Sequence, residues 1–343
     1  MFKSLSLLLL TIVIACLCYR NPEYFGLEHY VNYDTSTSIG DNIVWTYIEK
    51  PYSGTKHKTQ FSNNYTDDIP YFLKICVLLM EKAARRDYKF VILTPENICN
   101  YIHDFPIKMG YTSQYTLKYR VDLLGAYILE KFGGIWLSPG TIIQKRCFYG
   151  NIFSELQRQD IVTFGSDSSI INNCALQYNP DNLVIASTNK SPIIALYKII
   201  LKRQQINYQL PPDTLERVNN VDIKDLIDTE KFNLAQNEQI GVYALGEAFR
   251  IAREQQMPFT HKPYSCLYDG RKDLSNRYIT VKDLLGTNQI YFANKSALLF
   301  ISVPYYDLYE LREFQWFYNL SESQFYNAQV NLVKYIKDGI QAL

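Results

Sequence analysis

The chain has 343 residues, and its 47% hydrophobic and 20% charged content is that of a globular protein with a substantial core. This length accommodates one large domain or two modest ones. The net charge of +1 produces no overall field that would attract nucleic acid or an anionic membrane surface, so nucleic acid is not expected as a partner.

The N-terminus predicts a membrane segment. Residues 4–19 are apolar almost throughout, and Arg20 closes the run. The run is short for a span of about 20 apolar residues and long for the apolar part of a signal peptide, about 7–15 residues. Because no Ala-x-Ala cleavage site follows, we expect residues 1–20 to be a single-pass signal anchor with a lumenal or extracellular body; a cleaved signal peptide and a lipid on Cys16 are the alternatives. Residues 21–41 are polar and without a clear period, which is typical of a stem. Glycosylation triplets, which agree with such a body, begin at Asn64, Asn294 and Asn319.

The next part of the chain alternates predicted strands and helices. Residues 42–47 are rich in β-branched and aromatic side chains, as strands are, and residues 89–93 predict a second strand. Between them, residues 69–86 have an apolar face at helical spacing, with Pro70 in the first turn. Residues 95–103 follow as a short helix. This strand–helix–strand–helix order is that of a mononucleotide-binding half of an α/β sheet.

Residues 118–145 carry the most informative pattern. Apolar side chains recur at helical spacing up to Gly133 and Gly134, which end the predicted helix because glycine adopts the left-handed conformation without a side-chain clash. A buried strand at residues 135–137, a turn at residues 138–140 and a second apolar run follow. Together these features predict an α/β sheet with a site at the carboxyl end of the strand.

Two runs within this segment resemble a known family. Asp122–Leu124 and Lys131–Leu137 fit, in order and spacing, the core of glycosyltransferases with a DXD sugar-binding region, especially capsular polysaccharide synthesis proteins and their α-1,6-mannosyltransferase-like relatives. The resemblance is specific over residues 42–145. It implies an α/β fold of the nucleotide-diphospho-sugar transferase (GT-A) type, with a mainly parallel sheet and helices on both faces. It also implies two partners, a nucleotide-sugar donor and a glycan or polysaccharide acceptor.

The donor-binding residues that the resemblance implies are Trp45, Asp122, Ser138 and Gly140. In the family, the aspartate that matches Asp122 contacts the donor's sugar or ribose. The strand that matches the first one ends beside the nucleotide, where the ring of Trp45 could stack on a nucleobase. The alternatives are a solvent-facing helix residue for Asp122 and a core tryptophan for Trp45.

The chain also departs from the family pattern. The family's serine and arginine near the aspartate are Val121 and Gly125 here, and the two acidic positions of the DXD are Ser138 and Gly140. Hard cations such as Mn²⁺ and Mg²⁺ prefer charged oxygen ligands. The usual metal site is therefore missing, and either ion would need other ligands.

Three interpretations of this loss stay open. A metal-independent transferase could neutralise the leaving diphosphate with flanking basic residues, whose alternative role is solvated surface charge. Asp167 could supply a carboxylate from a neighbouring loop, the alternative being a turn-forming aspartate. The protein could also be a non-catalytic, sugar-binding or partner-binding pseudoglycosyltransferase. The flanking basic residues are Lys118, Arg120, Lys145 and Arg146.

The rest of the chain is less regular. We expect one glycosyltransferase-like domain over residues 42–343, with a nucleotide-sugar-binding half at residues 42–150 and an acceptor-side half at residues 151–343. In the second half, the predicted elements are strands at 161–164 and 182–186, helices at 191–203, 221–228, 241–255 and 323–340, and a turn with strands over 279–303.

Overall fold

The computed structural model describes residues 42–49, 69–85, 87–109, 116–167, 178–206, 217–218, 221–222, 240–265, 268–275, 277–303, 308 and 311–343. The strands are β1 Ile43–Tyr47, β2 Lys89–Leu93, β3 Gly134–Leu137, β4 Thr141–Ile143, β5 Ile161–Asp167, β6 Tyr178–Ser187, β7 Arg217–Val218, β8 Val221–Asp222, β9 His261–Ser265 and β10 Phe300–Ser302. The helices are α1 Tyr71–Ala84, α2 Ile98–Tyr101, α3 Leu117–Phe132, α4 Phe148–Leu156, α5 Pro192–Ile206, α6 Ile240–Glu254, α7 Val281–Leu285, α8 Gln315–Tyr318, α9 Glu322–Asn327 and α10 Asn331–Ala342.

The central sheet has six strands in the order β2–β1–β3–β6–β5–β9. Strand β1 pairs in parallel with β2 and β3, and β5 pairs in parallel with β9. Strand β6 runs antiparallel to both of its neighbours, β3 and β5. The sheet is thus mostly parallel within a mixed α/β fold, as the sequence predicts. Strands β1, β2 and β3 end at the same side of the sheet, which we call the carboxyl edge.

Helices cover the sheet. Every residue of β1 and β3 is buried, which requires cover on both faces. Helices α3, α5 and α6 pack against one another, and α6 and α3 also pack on β6. Helices α1, α4 and α10 form a second group, in which α1 and α10 contact β4. Strand β4 leaves the central sheet after the 138–140 turn and pairs antiparallel with β10.

The double glycine lets α3 turn directly into β3. Gly133 has φ of 70° and Gly134 has φ of 100°, a region in which residues with side chains are strained. A Cβ at Gly134 would lie 2.3 Å from the Ile43 carbonyl oxygen on β1. The two glycines therefore allow both the reversal of the chain and the close approach of β3 to β1.

Several predictions for the second half of the chain need correction. The turn and strands expected over residues 279–303 include α7, which a capping box at Thr280 begins. The single C-terminal helix expected over residues 323–340 is two helices, α9 and α10, because the chain is extended at Ala328 and again at Val330. The helix expected at 221–228 starts as β8, and its other residues lie outside the described part of the chain. Strand β9 and helix α4 were not predicted.

The predicted anchor, residues 1–20, and stem, residues 21–41, lie outside the described residues. Within the part of the chain that the structure describes, no helix is long and apolar enough to span a bilayer. The anchor therefore stays a prediction.

Candidate functional site

Helix α3 brings its first turns to the carboxyl edge. Only Gly133 separates the end of α3 from the start of β3. The last turn of α3 therefore lies at the opposite edge of the sheet. The whole helix has 16 residues and is roughly 24 Å long, so its first turns lie at the carboxyl edge. Thr116 caps the helix by accepting a hydrogen bond from the Tyr119 amide. This geometry places Arg120 and Asp122 beside the ends of β1 and β3.

Asp122 is buried, with 4% of its surface exposed. Its Oδ1 accepts a hydrogen bond of 2.7 Å from Nδ2 of Asn182 on β6. Its Oδ2 is also buried and has no hydrogen-bond partner among the described residues. Burial raises the pKa of Asp122 to about 7, against the opposing effects of the Lys118 charge and the Asn182 hydrogen bond. Asp122 is therefore not a solvent-facing helix residue, which was the alternative interpretation from the sequence.

The start of α6 lies against this carboxyl group. A Cβ at Gly241 would lie 2.1 Å from Asp122 Oδ2 and 2.1 Å from Asn182 Nδ2, so only glycine fits this position with α6 where it is. The first turn of α6 thus closes the space next to Oδ2. Asp122 and Asn182 lie on one face of the sheet with α6 above them.

A buried ion pair joins the end of β1 to the start of α3. Arg120 Nη1 and Nη2 bind Glu49 Oε2 and Oε1 at 2.6 and 3.0 Å, and the Tyr47 hydroxyl donates to Glu49 Oε2 at 2.9 Å. Arg120 is 4% exposed and Glu49 is 1% exposed. Arg120 is therefore not solvated surface charge, and both of its terminal nitrogens are already bound to Glu49. Its role in this structure is to fix the first turns of α3 against β1.

The other basic residues near the motif differ in environment. Lys145 is half-buried and donates to the carbonyl oxygen of Ser296, whereas Arg146 is exposed. Lys118 acts on Asp122 through its charge. Asp167, the alternative carboxylate, is the last residue of β5 and pairs with Tyr178 of β6.

Ser138 and Gly140 lie at the carboxyl end of β3, where the resemblance places the acidic residues of a DXD. Both are buried. The Ser138 amide donates to the Leu183 carbonyl at 2.7 Å, and the Ser138 carbonyl accepts from the Thr141 amide at 3.0 Å. The hydroxyl oxygens of Ser138 and Thr141 are buried and have no hydrogen-bond partner among the described residues. Unpaired buried polar atoms are uncommon in folded proteins, and ordered water, an ion, strain or a catalytic role accounts for them.

Sequence reasoning missed a charged cluster beside this turn. Arg271 Nε binds Asp269 Oδ2 at 2.6 Å, and Arg271 Nη1 binds Asp181 Oδ2. The two ion pairs link β6 to the segment after β9. Asp181 is 90 residues from Arg271, and Asp269 and Arg271 match no short motif, so no local signal could have found the cluster. No group of three or more His, Cys, Asp or Glu among the described residues could hold a metal ion.

Trp45 belongs to the core. It is fully buried, its Nε1 donates to the Gly133 carbonyl at 3.0 Å, and its ring contacts Tyr101 and Phe132. The expectation that the ring stacks on a nucleobase is therefore wrong for this structure, and Trp45 is the core tryptophan of the alternative interpretation. The structure also explains why glycine stands at position 125, where the resembled family has an arginine. A Cβ at Gly125 would lie 2.8 Å from the ring of Trp136, so the indole fills the space that a side chain at 125 would need.

Comparison with known proteins gives one family match. Residues 65–215 match the family model described as "Capsular polysaccharide synthesis protein". A solved structure described as "PaToxG Glycosyltransferase" is 15% identical and covers 63% of this chain and 85% of its own, with a TM-score of 0.27, which is too low to carry an argument. No curated protein matches the chain. The matched segment includes Asp122, Ser138 and Asp181, and its similarity to capsular polysaccharide synthesis proteins suggests a glycosyltransferase-like role.

Proposed function

We propose that the protein is a glycosyltransferase that binds a nucleotide sugar at the carboxyl edge and transfers the sugar to a glycan or polysaccharide acceptor. The fold that we propose is of the GT-A type, with Asp122 as the donor-sugar ligand and Ser138 and Gly140 beside the diphosphate. The family match over residues 65–215 supports the reaction class. An uncleaved anchor at residues 1–20 is part of the same proposal.

One observation carries the proposal. Oδ2 of Asp122 is a buried carboxyl oxygen at the carboxyl edge with no hydrogen-bond partner among the described residues. Leaving such an atom unpaired is costly in a folded protein. A sugar or ribose hydroxyl is a donor of the right kind, and Asn182 holds Oδ1 so that Oδ2 stays in a fixed direction.

The proposed sugar transfer breaks one bond at the anomeric carbon and forms another. The bond between the anomeric carbon and the diphosphate oxygen breaks, and its electron pair leaves with the nucleoside diphosphate. The acceptor hydroxyl oxygen forms the new bond to the anomeric carbon, and its proton is taken up by the released diphosphate. Asp122 orients the sugar in this scheme, and interactions that strengthen as charge develops on the leaving group lower the barrier.

The position of α6 adds a requirement. Because the first turn of α6 lies directly on Oδ2, a sugar hydroxyl reaches this atom only after that turn moves away. Donor binding is therefore expected to be coupled to a displacement of Gly241.

We expect Asp122→Asn to weaken nucleotide-sugar binding roughly tenfold, because an amide cannot accept the charge-assisted hydrogen bonds that a carboxylate accepts. Asparagine keeps the shape of the side chain, which matters because Asp122 is buried. Isothermal titration of wild type and variant with a panel of UDP- and GDP-sugars measures the effect. The matched control is Asp104→Ala, since Asp104 is exposed in a loop, and it should bind like wild type.

The pH dependence of nucleotide-sugar affinity distinguishes a binding role of Asp122 from a purely structural one. Wild-type affinity should increase from pH 6 to pH 8 as Asp122 ionises, while the affinity of Asp122→Asn should stay level. Equal affinities for wild type and Asp122→Asn at pH 8 would show that Asp122 does not bind the donor. A wild-type protein that binds none of the nucleotide sugars would overturn the proposed function.

A second function is favoured by a specific observation. Ser138 and Gly140 supply no carboxylate at the positions where the resembled enzymes hold their metal ion, so a non-catalytic sugar-binding or partner-binding protein is the other candidate. This candidate predicts binding of a sugar without transfer. Product analysis after incubation with the donor that binds distinguishes the two.

A further inference from the structure

We infer that Arg271 is the cation that faces the donor's diphosphate in this protein, at the place where the resembled enzymes use a divalent metal ion. The inference rests on the proposed function, since it assigns a role within the same site. It concerns three residues, Asp181, Asp269 and Arg271, which we call the arginine cluster.

Strand register places the arginine cluster beside the missing DXD. Strand β6 runs antiparallel to β3, with Leu137 opposite Val184, and the Ser138 amide continues the ladder to the Leu183 carbonyl. Asp181 lies two residues before Leu183, and its Oδ1 accepts a hydrogen bond of 2.7 Å from the Leu183 amide. Asn182 between them binds Asp122, whereas Asp181 binds Arg271.

Backbone contacts bring Asp269 to the same place. The Ser302 amide donates to the Asp269 carbonyl at 3.2 Å, and Ser302 is paired with Thr141, the residue after Gly140. The Val303 amide donates to the Gly140 carbonyl at 3.4 Å. Both carboxylates of the arginine cluster are thus adjacent to the 138–140 turn, although neither belongs to it.

The donor set does not fit a metal ion of the usual kind. Ser138 has a neutral hydroxyl, Gly140 has no side chain, and the two nearby carboxylates are already bound to Arg271. A divalent ion would have to displace a guanidinium that two carboxylates hold in the protein interior; the Asp269 side chain is 2% exposed, and that of Arg271 is 19% exposed. The cation of this site is therefore part of the chain.

The charges of the arginine cluster resemble those of a filled metal site. Arg271 binds two aspartates, as a divalent ion is bound by the two aspartates of a DXD. Burial raises the pKa of Asp269 well above its usual value, and the charge of Lys272 opposes that shift. A guanidinium also presents five N–H donors in a plane, a geometry that suits phosphate oxygens. The hydroxyls of Ser138 and Thr141, which are buried and have no partner among the described residues, are neutral donors at the 138–140 turn.

The test uses Arg271→Ala, with UDP and GDP as probes, in the presence of EDTA and then of Mn²⁺. Wild type should bind its nucleoside diphosphate with an affinity that EDTA changes by less than twofold. Arg271→Ala should lose at least tenfold in affinity. It should also gain a Mn²⁺ site, seen by electron paramagnetic resonance, because Asp181 and Asp269 are then available to a divalent ion. Mn²⁺ should restore part of the lost affinity in the variant alone.

Arg277→Ala is the matched control, because Arg277 is exposed and pairs with Asp273 and Asp283 on the surface of the same part of the chain. It should bind the nucleoside diphosphate like wild type, with or without Mn²⁺. If Arg271→Ala fails to fold, Arg271→Lys replaces it, and it should lose affinity without gaining Mn²⁺.

The outcomes separate the inference from the proposed function. Wild type that binds no nucleoside diphosphate or nucleotide sugar overturns the proposed function and this role with it. Wild type that binds while Arg271→Ala binds equally well overturns the inference alone, and so does wild-type binding that EDTA abolishes and Mn²⁺ restores. A loss in Arg271→Ala together with acquired Mn²⁺ dependence supports it, since a merely structural arginine would not produce that gain.

Discussion

Replacing Arg120 with alanine is expected to destabilise the protein by roughly 3–5 kcal/mol, because the change leaves the Glu49 carboxylate buried without its counter-charge. The Arg120–Glu49 pair is bidentate, with distances of 2.6 and 3.0 Å, and both side chains are almost completely buried. Urea unfolding of wild type and Arg120→Ala at pH 7 measures the difference directly.

The matched control is the double variant Glu49→Gln with Arg120→Met, which removes both charges and keeps an acceptor for the Tyr47 hydroxyl. Replacing a buried ion pair with neutral residues of similar size is often close to neutral, so the double variant should recover most of the lost stability. A loss below about 1 kcal/mol for Arg120→Ala would mean that the pair is exposed to water, which is the range for a surface ion pair. The pair matters for function because it fixes α3 two residues before Asp122.

The second large effect that we expect is a pH dependence of the free energy of unfolding, caused by the titration of Asp122. Burial raises its pKa in the folded protein from the usual 3.8 to about 7. Between these two values the folded protein keeps a proton that the unfolded chain has released. The stability that protonated Asp122 contributes is therefore fully present near pH 4, decreases as pH rises to about 7, and is constant above that pH. The whole change amounts to roughly 4 kcal/mol, at about 1.4 kcal/mol per pH unit.

Thermal and urea unfolding of Asp122→Asn beside wild type isolates this contribution. Asparagine has the shape of the protonated acid and does not ionise, so the stability of the variant relative to wild type should increase between pH 4 and pH 7. A difference that is level over this range would show that Asp122 does not titrate there. A variant that is less stable at every pH would show that the amide cannot replace the acid next to Gly241.

The sequence predicted the parts of the fold that depend on local pattern. β-Branched residues at 42–47 and 89–93, apolar spacing from residue 118 onward and the double glycine at 133–134 correctly placed β1, β2, α3 and β3. They also placed Ser138 and Gly140 at the end of a buried strand. Strand β9, which contains a proline, and helix α4, which has only 9 residues, were missed.

The environment of the candidate site depends on distant residues, and this is why it could not be predicted. Asp122 meets Asn182, 60 residues later, and is covered by the still later Gly241. Arg120 meets Glu49, 71 residues earlier, and Arg271 meets Asp181, 90 residues earlier. A helix position next to a charged residue looks solvent-facing until the elements that pack on it are known. Burial of Asp122 and Arg120 is a tertiary property.

A crystal structure of the protein with a bound nucleotide sugar tests the central claim most directly. We predict the sugar or ribose with a hydroxyl within hydrogen-bonding distance of Asp122 Oδ2, the diphosphate beside the 138–140 turn and Arg271, and the first turn of α6 moved away from its position against Asp122. A donor that binds in solution but lies elsewhere on the protein in the crystal, with Asp122 still covered by Gly241, would contradict the account.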